Sequence, residues 1–124
     1  MHEHVYVNQI VKEAVKHGLV EAITVEVGEL AIIPSEELEE ALQVTKWEVK
    51  VIVKPATVEC KCTFTGRPKV TEKGHDFNIY HCPACGRLAP KILDGKDVVL
   101  KEVRVKDEEG QSIIDVLFHL PKLF

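Results

Sequence analysis

No apolar run of eighteen residues occurs in the 124, so no segment reads as a membrane-spanning helix. Basic residues are not in excess either. Sixteen lysines and arginines face 20 aspartates and glutamates, a formal net charge of −4. A nucleic-acid module would carry a basic stripe, and none is evident, so neither nucleic acid nor membrane is an expected partner. The start lacks a basic segment followed by an apolar core, so no signal peptide is expected and the cytoplasm is the expected compartment. No Ser-His-Asp arrangement, phosphate loop or pair of catalytic carboxylates can be argued, which makes an enzyme the least expected class. Repeats and low-complexity segments are absent. Asparagine is scarce and methionine occurs once, while Glu, Lys and Val abound; that balance leans toward a thermophile.

What is present is 45% hydrophobic and 29% charged, a globular composition of one-domain size. All four cysteines lie between Cys60 and Gly86, as Cys60-Lys61-Cys62 and Cys82-Pro83-Ala84-Cys85-Gly86, with 19 residues between the pairs. Two close pairs across such a loop favour a structural zinc site, because Zn²⁺ takes four tetrahedral ligands and thiolates supply them. The second pair fits well, its glycine relieving the backbone after the last ligand. The first is one residue short of the usual knuckle, and Thr63 follows it. Three other readings compete. One is a disulfide, Cys60 to Cys85 or Cys62 to Cys82, which a reducing compartment opposes. Another is a thioredoxin-like redox pair, which needs a helix after it, where Gly86 and Pro90 stand instead. The third is a deaminase zinc, whose upstream His-x-Glu is missing.

Apolar spacing predicts a helix over 5–19, carrying Val7, Ile10, Val11, Ala14, Val15 and Leu19, with Gly18 as its C-cap. Ile23, Val25 and Val27 alternate as a half-buried strand. Ser35 offers an N-cap to a second helix with Glu36 and Glu37 in its first turn and Leu38, Ala41 and Leu42 on its apolar stripe. Trp47, Val49, Val51 and Val53 mark a second strand, ended by Pro55. Residues 97–106 return to a strand. There Val98 and Leu100 oppose Val99 and Val103, a conflict that a bulge reconciles. Ser112 is expected to cap a short helix bearing Ile113, Val116, Leu117 and Leu120. That stripe reads equally as packing on its own domain or as a partner or homodimer contact.

The expected fold is α+β: a three-stranded mixed sheet with two helices on one face, plus an inserted zinc-ribbon-like lobe. Residues 1–54 and 95–106 form the α/β domain, 55–94 the cysteine-bearing domain, and 107–124 a C-terminal tail. The insert reads as too polar and short to bury a core, so a metal must hold it. It is expected to be a separate lobe on two linkers, Lys54–Val58 and Ile92–Lys96.

The chain begins Met1-His2-Glu3. The His2 imidazole, the terminal amine and the adjoining amides can close chelate rings on one metal, a nitrogen set suited to square-planar Ni²⁺ or Cu²⁺. Taken alone, the stretch reads more readily as a solvated polar terminus than as a metal site. After it come Val25-Glu26-Val27-Gly28-Glu29-Leu30, Ile33-Pro34-Ser35-Glu36-Glu37-Leu38, the C-P-x-C-G knuckle and a final valine-rich strand. In that order, over residues 1 to about 106, the chain resembles the HypA family of hydrogenase nickel-incorporation proteins. The resemblance implies a small nickel metallochaperone. Nickel would bind at the start, with the Met1 amine, His2 as the main side-chain ligand and Glu3 beside it. Zinc would sit on Cys60, Cys62, Cys82 and Cys85. Nickel would pass to a [NiFe]-hydrogenase large subunit with a HypB-type GTPase. His4, His75 and His81 are further metal-ligating residues without an assigned role. The chain departs from the family at C-x-C, where Thr65 takes the place of a knuckle cysteine. It departs again between Gln43 and Trp47, which lacks the usual glycine turn, and in its longer tail. The competing functional class is a zinc-ribbon adaptor that binds another protein and carries no nickel.

Overall fold

Alternation of Ile23, Val25 and Val27 against Thr24 and Glu26 makes β1, Leu19–Gly28, the strand around which the fold is arranged. The computed structural model describes residues 3–74 and 77–116. β1 pairs in parallel with β2, Glu48–Lys54, and antiparallel with β8, Val98–Lys106. A fourth strand, β9, Ser112–Val116, pairs antiparallel with β8, giving the order β2-β1-β8-β9. The three expected strands are therefore present, and the tail adds one more.

Helix α1, Glu3–Ala14, runs on as a 3₁₀ turn, Val15–His17. Gly18 closes it at φ 130, its N–H donating to the Val15 carbonyl. The helix thus ends short of the expected residue 19, and Leu19 already belongs to β1, 75% exposed. α2, Ser35–Leu42, crosses from β1 to β2. Its cap is Pro34, not Ser35: Pro34 is extended, its carbonyl accepts the Leu38 N–H, and Ser35 is already helical. Lys46 takes φ 61 in the turn before Trp47 and does there what a glycine would do.

Tyr6, Val7, Ile10 and Ala14 of α1 and Leu38 and Leu42 of α2 pack on Ile23, Val25 and Val27 and on Val98, Leu100, Val103 and Val105. The expected bulge lies in β8. Thr24 pairs with Glu102 and Val25 with Leu100, so Lys101 is skipped and Leu100 and Val103 both point inward. Burial of each such side chain contributes about 1.5–3 kcal/mol.

The expected tail helix is a strand over its described part. Asp107 N–H bonds to the Gln111 carbonyl and Gly110 N–H to the Asp107 carbonyl, with Gly110 at φ 81. This three-residue hairpin loop turns the chain back along β8, and β-branched Ile113 and Ile114 suit the strand that follows. Leu117 and Leu120 lie outside the described residues.

Between β2 and β8 the chain forms β3 (Thr57–Glu59), β4 (Thr65–Gly66), β5 (Lys69–Lys73), β6 (Asn78–His81) and β7 (Lys91–Asp94). β4-β3-β7 make one small sheet and β5-β6 another. The insert does bury a small core, contrary to expectation. Leu30, Ala56 and Val58 are buried against Phe64, Val70, Tyr80 and Ile92. Leu30 enters it from outside the insert, and the others are too scattered in sequence to show a period. The linkers are stitched down as well. Gly28 N–H bonds to Asp97 O, Glu29 N–H to Lys54 O, and Leu30 N–H to Gly95 O. A Cβ on Gly28 would stand 2.2 Å from Gly95 O, and one on Gly95 would stand 2.5 Å from Ala56 Cα, so only glycine permits this approach.

Candidate metal centre

Each cysteine pair sits in a tight turn at the end of a strand. Cys60 follows β3, and its N–H donates to the Phe64 carbonyl. Cys82 follows β6, and its N–H donates to the Arg87 carbonyl. In both turns the residue after the second cysteine is left-handed, Thr63 at φ 80 and Gly86 at φ 77. In both, that residue's N–H donates to the carbonyl of the first cysteine, Thr63 to Cys60 at 3.0 Å and Gly86 to Cys82 at 2.8 Å. C-x-C-T is thus C-x-x-C-G with one residue removed. Thr65, where a C-x-x-C pair would place its second cysteine, pairs with Glu59 in β4.

The two turns bring Cys60, Cys62, Cys82 and Cys85 together, with all four Sγ atoms within 4.8 Å of one another. Cys60 Sγ lies 3.6 Å from Cys85 Sγ, and Cys62 Sγ lies 3.6 Å from Cys82 Sγ. These are the pairs named for a disulfide, but all four thiols are free, and a bonded pair would stand at about 2.05 Å. Sulfurs on one tetrahedral zinc at about 2.3 Å stand about 3.8 Å apart, so the donor set fits that ion. No helix follows Cys85, which removes the thioredoxin-like setting. Cys60 and Cys82 are buried, whereas Cys62 and Cys85 are exposed.

The electrostatics call for a cation. The Phe64 backbone favours the Cys62 thiolate, but burial and the three neighbouring thiols outweigh it and push Cys62 up to about 12. At Cys82 burial opposes ionisation, yet the Cys85 and Ala84 amides, with the Cys62 and Cys85 thiols, bring it down to about 7. One sulfur is ready to ionise and another resists. Four sulfurs this close cannot all be ionised together unless a cation balances them.

His81 lies in β6, bridged to Leu88, and stands outside the four-sulfur cluster. His4 is an exposed residue of α1. Glu3 opens α1, while Met1, His2 and His75 lie outside the described residues. The sequence carries no signal for a further feature, the polar junction between insert and sheet. There Glu29 accepts from Arg67 and from the Ala56 N–H, Lys73 donates to Glu29 O and Ala31 O, and Asn78 donates to Leu30 O and Ala31 O.

A small α/β unit with a four-cysteine ribbon between two of its strands defines a metal-binding protein of the zinc-ribbon kind. Comparison with known proteins is more specific. A family model described as hydrogenase/urease nickel incorporation, metallochaperone, hypA matches residues 1–105. The hydrogenase maturation factor HypA of Methanothermobacter thermautotrophicus is 26% identical over 114 residues, covering 83% of this chain and 92% of its own. That of Methanocaldococcus jannaschii is 32% identical over 113 residues, covering 82% and 88%. The solution structure of the Ni metallochaperone HypA from Helicobacter pylori shares the fold, with a TM-score of 0.53 at 17% identity over 83% of this chain and 96% of that one. The chain belongs to the HypA family of nickel-incorporation metallochaperones involved in hydrogenase maturation.

Proposed function

We propose that this chain carries Ni²⁺ on its first three residues and hands it to a [NiFe]-hydrogenase large subunit, working with a HypB-type GTPase in the cytoplasm. The observation that carries the proposal is the family match from residue 1 to residue 105, which spans both Met1-His2-Glu3 and the cysteine cage. The nickel ligands are the Met1 amine, the His2 imidazole and the backbone nitrogens of His2 and Glu3. A carrier needs no catalytic group; it needs a site that selects nickel and then lets it go. A chain end suits this, because a partner can remove its ligands one at a time. The α/β domain, 1–54 and 95–106, presents that site. The 55–94 domain is held by structural Zn²⁺ on Cys60, Cys62, Cys82 and Cys85, which ties the ends of β3 and β6 together.

Metal analysis of the untagged protein, with and without added nickel, tests the reading. One zinc per chain is expected throughout, and one nickel after loading. An amine titrating at about 8 and an imidazole at about 6.5 must both lose protons to bind, so nickel affinity falls as pH drops below about 7. His2→Ala and a residue added before Met1 should each abolish tight nickel binding and release no zinc. Unchanged nickel binding in the extended protein would refute the amine chelate. If His2→Ala is silent too, the protein is a zinc-ribbon adaptor and not a nickel carrier.

A further inference from the structure

Beside the cysteine cage the insert carries a depression of about 450 Å³, lined in part by Glu59, Lys61, Arg87, Leu88, Pro90 and Lys91. We propose that it docks a partner protein through an extended acidic segment bearing a leucine-sized apolar side chain.

Three cations converge here from separate parts of the sequence. Lys61 lies between the cysteines of the first turn, Arg87 follows the second turn, and Lys91 opens β7. Antiparallel pairing of β3 with β7 sets Glu59 opposite Lys91 and so brings these stretches together. All three cations are exposed, and among the described residues none of them forms an ion pair. Arg67 and Arg104, by contrast, both meet carboxylates. Glu59 is the one acid lining the depression. Three positive charges thus stand against one negative, in a chain whose net charge is −4. A concavity lined by one sign of charge concentrates partners of the other.

Leu88 supplies the apolar part. It is 63% exposed, while Pro90 is buried. An exposed leucine alone needs no explanation, but this one stands on a fixed backbone. Cys82 N–H donates to Arg87 O at 2.9 Å, Leu88 is bridged to His81, and Ala89 N–H donates to Tyr80 O at 3.0 Å. Ala89 keeps φ 53, a left-handed conformation strained for any residue with a Cβ. Leu88 is therefore presented before a partner arrives, which lowers the ordering cost of binding. A purely apolar segment would leave the cations unanswered. A nucleic acid would answer them, but no aromatic side chain lines the depression for its bases to stack on. Lys61 and Arg87 also offset the negative charge that four thiolates keep around one Zn²⁺. Lys91 lies outside both turns, so it separates docking from support of the cage.

Fluorescence anisotropy tests this, with the zinc-loaded full chain titrated into a labelled peptide, Glu-Asp-Leu-Leu-Asp-Glu. Nickel is left out, so the result does not depend on the nickel reading. Saturable binding in the micromolar to millimolar range is expected, weakening as salt is raised. Leu88→Ser and Lys91→Glu should each weaken it about tenfold or more, with zinc content and dichroism unchanged. Lys50→Glu, the same charge change on β2, should bind as the wild type does. Should Leu88→Ser misfold, amide chemical shifts of the wild type decide: those of Leu88, Ala89 and Lys91 should move on titration, and those of β9 should not. No binding at millimolar protein overturns the proposal, as do equal losses in Lys91→Glu and Lys50→Glu, which would reflect net charge alone. Unchanged affinity for a peptide with both leucines replaced by alanine would remove the apolar anchor and overturn it too. So would a single-stranded oligonucleotide that binds more tightly than the peptide, since the patch would then be a phosphate site.

Discussion

Glu29 Oε2 lies 2.7 Å from Arg67 Nη2, and Arg67 Nε lies 3.1 Å from both carboxylate oxygens, so residues 38 apart in sequence form a two-pronged ion pair between sheet and insert. The same carboxylate accepts the Ala56 N–H at 3.0 Å. Chiefly through Arg67, with burial opposing and Ala56 assisting, Glu29 is held below the usual carboxylate range.

A depressed carboxylate contributes stability that is fully present above the unfolded-state value, about 4.3, and is lost as pH falls through the folded-state value. Urea unfolding of the wild type should therefore weaken below about pH 4.3, and Glu29→Gln should show a shallower decline there. Glu29→Ala also leaves the Ala56 N–H without its acceptor, at a cost of roughly 1–3 kcal/mol near neutral pH. Equal pH slopes in wild type and Glu29→Gln would mean that the pair is not formed in solution.

Thr63 and Gly86 hold equivalent places in the two turns, but only one of them is a glycine. A β-branched residue at φ 80 is strained by about 1–2 kcal/mol. Thr63→Gly should stabilise the metal-loaded protein, less about 1 kcal/mol for glycine's freedom when unfolded. Gly86→Ala should destabilise it by about 1 kcal/mol, and through the backbone alone, since a Cβ there meets nothing within 4 Å. Thermal melts of the two variants check the opposite signs.

Much of the fold could be read from local pattern. Val98, Leu100, Val103 and Val105 cannot share one face of a regular strand, and that conflict placed the β8 bulge. The tail misled because Ile113 and Val116 stand at helical spacing with Leu117 and Leu120, while the turn that makes a hairpin, Asp107 to Gln111, lies before them. Tyr6 was missed in α1, where it is buried beside Val7. The insert's core and the Glu29–Arg67 pair were not legible, because each depends on residues far apart in sequence. Of the candidate site residues, the four cysteines could be read from spacing. How a C-x-C pair closes its turn could not, because that depends on Thr63 adopting a left-handed backbone.

Metal removal should separate the two cores. The single tryptophan, Trp47, packs on the main core, while Tyr80 packs on the small one. Structural zinc contributes about 10–16 kcal/mol of apparent binding energy in small thiolate sites, far more than a core of three buried residues can replace. A strong chelator should expose four titratable thiols and abolish exchange protection in β3 and β7, with Trp47 emission unchanged. Simultaneous loss of both signals would show that the junction at Glu29 makes the molecule one cooperative unit.

The crossing of Gly28, Ala56 and Gly95 has an architectural consequence. The excursion from β2 to β8 leaves and returns through one point, where a Cβ on Gly95 would sit 2.5 Å from Ala56 Cα. Its two ends are held together by backbone bonds outside β3–β7, so a change of length between those strands is felt by the small core and the cysteine cage and not by the main sheet. Residues can be gained or lost between β3 and β7 without shifting the pairing of β1 with β2 or β8. Substituting one of the small residues at the crossing cannot be absorbed in that way, because a side chain there would push the end of β1 away from the two points where the excursion leaves and returns.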